Sequence, residues 1–489
     1  MLVTCQQMAE AESLLFSGGV SPEPFMDEAG KQCALAIRQF HPRPGRAEIF
    51  CGKGNNGGDA LVVARWLRTW GWSTYLHFSS GPDQLPELTE KKLIEYEAVP
   101  KPSTPNPKSH VIVVDGLLGI GAKGDLRGSI LDLAREINSL RETERATCYA
   151  IDIPTGLDAD TGKAYQDAVV ADVTLTICYA KKGYAEDEAV HHVGRLALIP
   201  LNIPIEEADE SIQFLFPDTI ASRLRPRPFD FHKGQAGRLA IVAGSTGLAG
   251  AAALVAKGAS HAGAGLVSVC VPESIYAIVA SQSPSEVMIH PRQSAEAVSA
   301  LKPDVIAIGP GLGQNIPQWI IDLILNFKGP MIVDADALNG LARESIDLSL
   351  LPSNRLLTPH PGELRRLTSL TGSRLKLTRY LADLWGLTLL HKGARTVIAT
   401  PEHPVEINTT GHPGMASGGM GDVLTGVCAA LAGQGLTLHD AASVGSWILG
   451  RAAERSRDDG ELAEESITAS LVADSIGKAL NDLYSFPVY

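Results

Sequence analysis

Apolar residues along this chain fall into short β-branched runs, and longer amphipathic stretches separate them. The runs fit strands buried in a sheet and the stretches fit helices laid on its faces. The pattern therefore predicts α/β folding around largely parallel sheets. In the first half the predicted strands are 47–51, 74–78, 111–115, 148–153 and 173–178; in the second they are 239–243, 266–271, 305–308, 331–334 and 397–399. Residues 1–12 read as a short helix, 101–107 as a proline-rich surface loop, and 455–465 as a charged, solvated loop. The alternation breaks between about 205 and 232, where Arg223-Leu224-Arg225-Pro226-Arg227-Pro228 reads as a linker. Two domains are expected, 1–215 and 222–489, with no internal repeat between them.

Composition adds exclusions. At 489 residues the chain exceeds one ordinary core. No apolar run approaches the roughly 18–20 residues of a membrane span, and the N-terminus lacks a signal-peptide pattern. The seven cysteines are scattered without a C-x-x-C pair, which points to reduced thiols in a cytoplasmic protein. A net charge of −13 argues against nucleic acid and membrane surfaces as partners. Any phosphate-bearing substrate must be held by local devices, because the global field opposes it.

The first half carries a strand, a turn Gly52-Lys53-Gly54-Asn55-Asn56-Gly57-Gly58-Asp59, and an amphipathic helix. Glycines let backbone approach a ligand, and the helix N-terminus offers free N–H groups to an anion. Two further strands end in acids: Asp115 before Gly116–Gly121, with Asp125 beyond, and Asp152 before Pro154-Thr155-Gly156. Any one Asp could merely cap its turn. Three such turns at the C-terminal ends of parallel strands favour a ligand site.

These three motifs together resemble the NAD(P)HX epimerase domain. The resemblance covers about the first 215 residues and implies a Rossmann-like parallel-sheet domain. It implies a potassium ion held by Asn56, Asp115 and Thr155, oxygen ligands that suit a hard cation. It also implies that Asn55, Asn56, Gly57, Gly58, Asp59, the loop Gly119, Ile120, Gly121, Ala122, Lys123, Gly124, Asp125, and Asp152 hold the hydrated nucleotide, with Asp152 catalytic. Thr155 stands where the family usually has Ser, and Ala60 where it usually has Gly; neither removes a ligand atom.

In the second half, Gly411 to Gly421 holds five glycines in eleven residues and runs into Asp422 at the start of an apolar helix. Consecutive glycine N–H groups at a helix N-terminus form an anion hole, and a carboxylate in the first turn can act there as an acid/base or serve only as a cap. Five more turns follow predicted strands or helix-like stretches: 243–250, 309–313, 334–339, 358–363 and 392–396. His360, between two prolines, is fixed in direction and suits ligand contact.

This set resembles the ADP-dependent NAD(P)HX dehydratase, a ribokinase-like α/β fold, from about residue 222 onward. The resemblance implies that Lys392, Gly393, Ala394, Arg395, Thr396 and Gly421 line an adenine nucleotide, and that Ala251, Gly313, His360 and Asp422 contact the hydrate. Arg395 departs from the small residue often found there. Epimerase followed by dehydratase is the order of the bacterial fusion. The implied chemistry is interconversion of R and S hydrates of NADH and NADPH, then dehydration of the S form with ADP giving AMP and phosphate, Mg²⁺ bridging the phosphates. A homo-oligomer is also expected. A ribokinase-like small-molecule kinase is the main alternative, but it would leave the first half without a role. A first domain that is only a binding scaffold would be expected to lose its acids, and Asp59, Asp115 and Asp152 are all present.

Overall fold

The computed structural model describes residues 1–102, 110–205, 208–291, 294–460, 462–484 and 489; the proline-rich loop expected at 101–107 lies outside them from 103 onward. The chain forms two compact units, Met1–Ile212 with Tyr489, and a second beginning at Gln213. In class it is α/β, each unit built on a sheet whose central strands run parallel.

The strands of the first unit are β1 (Leu2–Val3), β2 (Arg46–Cys51), β3 (Ser73–Phe78), β4 (Val111–Gly116), β5 (Thr147–Ile151), β6 (Val173–Ile177), β7 (Ala180–Lys181) and β8 (Arg195–Ile199). Six make one parallel sheet in the order β3-β2-β4-β5-β6-β8. Successive residues point to opposite faces. Ile49, Cys51, Ile112 and Val114 pack on the helices Pro22–Phe40 and Asn55–Thr69, whereas Phe50, Val113 and Cys148 face the helix Gly128–Thr143. The order reverses between β2 and β4, and ligands bind at such a switch point, outside the strand C-termini. Residues 1–12 are only partly the expected helix. β1 comes first and pairs with β7, and a helix Cys5–Ser17 follows, capped by Thr4.

The second sheet contains β9 (Ile212–Leu215), β10 (Arg238–Val242), β11 (Leu266–Cys270), β12 (Met288–His290), β13 (Val305–Ile308), β14 (Met331–Val333), β15 (Arg355–Leu357), β16 (Thr388–His391), β17 (Val397–Ala399) and β18 (Val405–Asn408), in the order β12-β11-β10-β13-β14-β15-β16-β17-β18-β9. From β12 to β16 neighbours run parallel, so seven chain exits open on one edge; β17 and β18 then turn antiparallel. Leu239 and Ile241 pack under the helices Ala249–His261, Met420–Gly433 and Leu438–Gly460, while Ala240 and Val242 face Gln318–Asn326 and Ala335–Arg343.

Three expectations need correction. The segment expected as a charged loop at 455–465 begins as helix, because Leu438–Gly460 runs through it and Arg455 donates to Asp482. The segment 223–228 is not a free linker. Arg223 binds the buried Glu406 of β18, and Arg227 donates to the Gly263 carbonyl at 2.7 Å. The strand expected at 148–153 stops at Ile151, because Asp152 turns the chain at φ 62°.

Burial pushes the Glu406 carboxyl up, but His439 and Arg223 more than reverse this and hold it at about 2. A carboxyl depressed in the folded state contributes stability above its unfolded value, and that stability is lost as pH falls from about 4.5 toward about 2. Arg223→Ala leaves Glu406 buried with less compensation, and we expect it to destabilise the second unit by roughly 3 kcal/mol. Calorimetry from pH 2 to 7 should show the gap between wild type and variant closing below about 4.5. A gap that does not change with pH would contradict the assignment.

Candidate active sites

In the first unit the site is built on buried carboxylates at strand ends. Asp115, fully buried at the end of β4, accepts the Thr155 N–H on Oδ2 at 2.8 Å, and the Thr155 hydroxyl (2.8 Å) and Leu117 N–H (3.2 Å) on Oδ1. The Thr155 hydroxyl accepts the Leu118 N–H, and the Asn56 amide donates to the Leu118 carbonyl at 2.9 Å. The structure thus gathers Asn56, Asp115 and Thr155 around residues 117–118. Burial raises the Asp115 carboxyl to about 6 against these three hydrogen bonds, and among the described residues it has no cationic partner.

Asn55 to Asp59 are not loop but the first turns of the helix Asn55–Thr69. The approach to the neighbouring strand end is backbone on backbone: a methyl on Gly52 would stand 1.9 Å from the Leu117 carbonyl oxygen. The Ala60 methyl packs toward Gly116, whose own added methyl would meet it at 2.5 Å, so this departure from the family pattern is accommodated by a facing glycine. Gly119, Ala122, Lys123, Gly124 and Asp125 border a cavity of about 140 Å³ together with Pro154, Gly156 and Tyr165. Ile120 goes elsewhere, packing against the cluster of Val3, Met8 and Cys178; Gly121 does not line the cavity.

Asp152 sits strained at φ 62°, pairs with the fully buried Lys181, and accepts the Ile177 N–H at 2.9 Å. Tyr184 donates to its carbonyl at 2.5 Å. Burial lifts the Asp59 carboxyl well above the usual range, and the Asp152 and Glu12 charges add to this. Glu12 is raised by burial and by Asp152, with Lys181 opposing. Sequence reasoning missed Lys181, Glu12 and Tyr165. A Lys181-Lys182 pair after a strand carries no sign of which lysine is buried, and Glu12 reaches the site only because β1 docks on β7.

In the second unit, Asp422 lies in the first turn of Met420–Gly433, behind Gly419 at φ 91°. A side chain at Gly419 would strike Leu254 at 2.5 Å, so only glycine fits this turn. Lys392, at the end of β16, donates to Asp334 Oδ1 at 2.6 Å and stands 3.7 Å from Glu363. Burial alone would lower the Lys392 ammonium, but Asp334 and Glu363 carry it upward. Burial raises Asp422 to about 7; Asp334 adds to the shift and Lys392 offsets it, with smaller pushes from Asp336 and Glu363. Gly313 donates to Asp336 at 2.8 Å. The His360 N–H donates to Glu363 at 2.8 Å, and its ring caps the helix Pro361–Leu367.

Lys392, Gly421 and Asp422 therefore meet at one point. Ala251 borders the glycine loop after β13, where a methyl on Gly311 would meet it at 2.8 Å, and a methyl on Gly313 would lie 3.4 Å from the Ser245 hydroxyl. Gly393 and Ala394 are exposed in the turn after β16, and Thr396 is buried. The Arg395 side chain is also buried, its guanidinium 5.4 Å from the Phe214 ring centre, so the turn can face a ligand through its backbone.

Comparison with known proteins covers both units. A family model described as NAD(P)H-hydrate dehydratase matches residues 239–476, and one described as YjeF-related protein N-terminus matches 22–183. The bifunctional NAD(P)H-hydrate repair enzyme Nnr of Moorella thermoacetica is 37% identical, over 94% of this chain and 94% of its own. That of Escherichia coli K12 is 35% identical over 89% and 85%. Among solved structures, a protein from Streptococcus mutans covers 56% of this chain and 100% of itself at 24% identity and a TM-score of 0.50, a likeness of fold.

The Asp115 network makes a testable demand on Thr155. Thr155→Ala removes a hydroxyl donor from a buried carboxylate, and we expect a loss of about 1–3 kcal/mol. Thr155→Ser keeps the hydroxyl, so its melting temperature should stay close to wild type. Equal losses in the two variants would mean that the methyl, not the hydroxyl, matters.

Proposed function

This chain belongs to the family of bifunctional NAD(P)H-hydrate repair enzymes, and from that premise we propose how its residues carry out the two reactions. The enzyme interconverts the R and S hydrates of NADH and NADPH and dehydrates the S form. The carrying observation is Asp422, a carboxyl raised to about 7 at the mouth of a glycine turn. A group poised near neutrality can accept a proton and later release it.

We assign dehydration to the second unit. The Gly418–Gly421 turn and Lys392 bind the nucleotide phosphates, the 392–396 turn lines the adenine nucleotide, and Ala251, Gly313 and His360 hold the hydrate. Asp422 takes the proton of the C6 hydroxyl as that oxygen attacks the β-phosphorus of ADP, and AMP leaves. Loss of phosphate from C6 and of a proton from C5 restores the ring double bond. The helix N-terminus and the Lys392 ammonium stabilise the charge in transfer. Mg²⁺ carried on the nucleotide supplies further neutralisation of the phosphates.

Epimerisation belongs to the first unit. Asp152, paired with Lys181, acts at the reacting carbon, and the 119–125 loop with Asn55 to Asp59 binds the hydrate. The residues present fit a potassium ion: Asp115, Thr155 and Asn56 offer oxygens only, and the buried carboxylate has no cation of its own among the described residues. When bound, the ion supplies a fixed positive charge near the substrate. The same reading makes the enzyme a cytoplasmic homo-oligomer, the compartment resting on seven buried cysteines that form no disulfide among the described residues.

Two outcomes test this reading. Asp422→Asn should lower dehydration by about 10²–10⁴, while nucleotide binding stays within a few-fold. Near-normal turnover of S hydrate, followed by NADH absorbance, would remove Asp422 from the chemistry. Asp115→Ala should weaken potassium activation and epimerisation together and leave dehydration of pure S hydrate running. Among the three ligand side chains Asp115 alone brings a formal charge, and misplacing the substrate by about 1 Å can cost on the order of 100-fold in rate. An unchanged potassium response in a folded variant would refute the ligand role.

A further inference from the structure

Three carboxylates face Asp422, and each holds something different. Asp336 receives the Gly313 N–H, and Glu363 receives the His360 N–H. Asp334, 1% exposed at the end of β14, makes two side-chain bonds. Its Oδ1 accepts Lys392 at 2.6 Å, and its Oδ2 accepts the Thr425 hydroxyl at 2.9 Å. Lys392 begins the turn between β16 and β17, and Thr425 lies one turn beyond Asp422 in Met420–Gly433. One carboxylate therefore ties a strand end, a hairpin turn and the helix that presents Asp422.

The tie fixes where the ammonium stands. A methyl on Gly421 would come within 3.2 Å of Lys392 Nζ and 3.7 Å of Asp334 Oδ2. The ammonium is thus pressed against the α-carbon of the last glycine of the turn, next to Asp422. Glu363, 3.7 Å away on the helix Pro361–Leu367, is the alternative counter-charge toward which Lys392 can swing if Asp334 releases it.

We propose that Asp334 is a positioning residue for dehydration: by clamping Lys392 and Thr425 it holds the Lys392 charge against Gly421, where the phosphoryl group passes to the C6 oxygen beside Asp422. This rests on the reading of Asp422 as the acid/base. In this role Asp334 acts through Lys392. Its side chain must be charged as well as hydrogen-bonding, because a neutral amide leaves the mostly buried ammonium to Glu363. The charged groups facing Asp422 are Asp334 from the turn just after β14, Asp336 from the helix Ala335–Arg343, Glu363 from Pro361–Leu367 and Lys392 from the hairpin turn. Removing Asp334 takes away a negative neighbour, and removing Lys392 takes away the positive one. The two changes must move the titration of Asp422 in opposite directions.

The test uses the full-length chain with S hydrate, ADP and Mg²⁺, comparing wild type, Asp334→Asn and Lys392→Met. For Asp334→Asn we expect kcat to fall by about 100-fold, as for a reacting group misplaced by about 1 Å, with KM for ADP changed only a few-fold. The acidic limb of its pH–rate profile should move to lower pH, and that of Lys392→Met to higher pH. A wild-type kcat in Asp334→Asn would overturn the proposal. So would a loss of kcat with an unmoved acidic limb, or shifts of one sign in both variants. Epimerisation by the same preparations reports on the integrity of the first unit, and melts report on the second. If Asp334→Asn does not fold, Lys392→Met decides alone: its limb moves upward or the proposal fails. Asp422→Asn separates the two readings. If it turns over normally, the acid/base assignment falls. If it is inactive while Asp334→Asn keeps the wild-type profile, only the positioning role falls.

Discussion

A carboxylate buried at the end of a parallel strand is the constraint on which both sites depend. An ionised acid out of water is costly unless hydrogen bonds or an opposite charge compensate it. Asp115 meets that need by drawing in the 117–118 backbone and the Thr155 turn, and Asp334 by drawing in the 392 turn and the helix carrying Asp422. In each case, satisfying one buried anion brings loops from separate strands into register. The geometry of the site is a consequence of solvating a charge inside a protein.

The environments of the acids then separate their tasks. Asp422 is buried, with Asp334 beside it and Lys392 offsetting only part of the shift, so its carboxyl is raised to about 7 and can exchange protons at neutral pH. Asp152 is paired with Lys181, while Asp59 and Glu12 beside it are raised. Burial is the larger cause for both Asp59 and Glu12, and the Asp152 charge adds to each. The protein's net charge of −13 gives an anionic substrate no general attraction, and Lys392 and the helix N-terminus at Gly419 are the local positive features beside Asp422.

Strands built mostly of apolar and β-branched residues were legible in the sequence to within one or two residues, as with β2, β4, β6, β10 and β13. Three of the strands that escaped, β15, β16 and β18, carry buried polar groups. β15 begins with Arg355, fully buried and solvated by the carbonyls of Ile324, Phe327 and Gly329. β16 ends in His391, which meets the Thr378 hydroxyl, and β18 contains Glu406, held by Arg223 and His439. Such residues read as surface when their partners lie tens to hundreds of positions away, and no local pattern announces the pairing.

What the sequence determined by itself is local: the α/β alternation, the glycine turns, and the acids that stand after strands, because strand period, glycine freedom and helix-end polarity act over a few neighbouring residues. Those motifs were enough to identify the family and to nominate Asp115, Asp152 and Asp422. Tertiary structure alone decided which acids share a field, which lysine is buried, that Ile120 faces a core and not the cavity, and that Asp334 bridges Lys392 and Thr425. These are contacts between residues far apart in the chain, and Coulomb energy and desolvation depend on distance in space, which one-dimensional order does not contain.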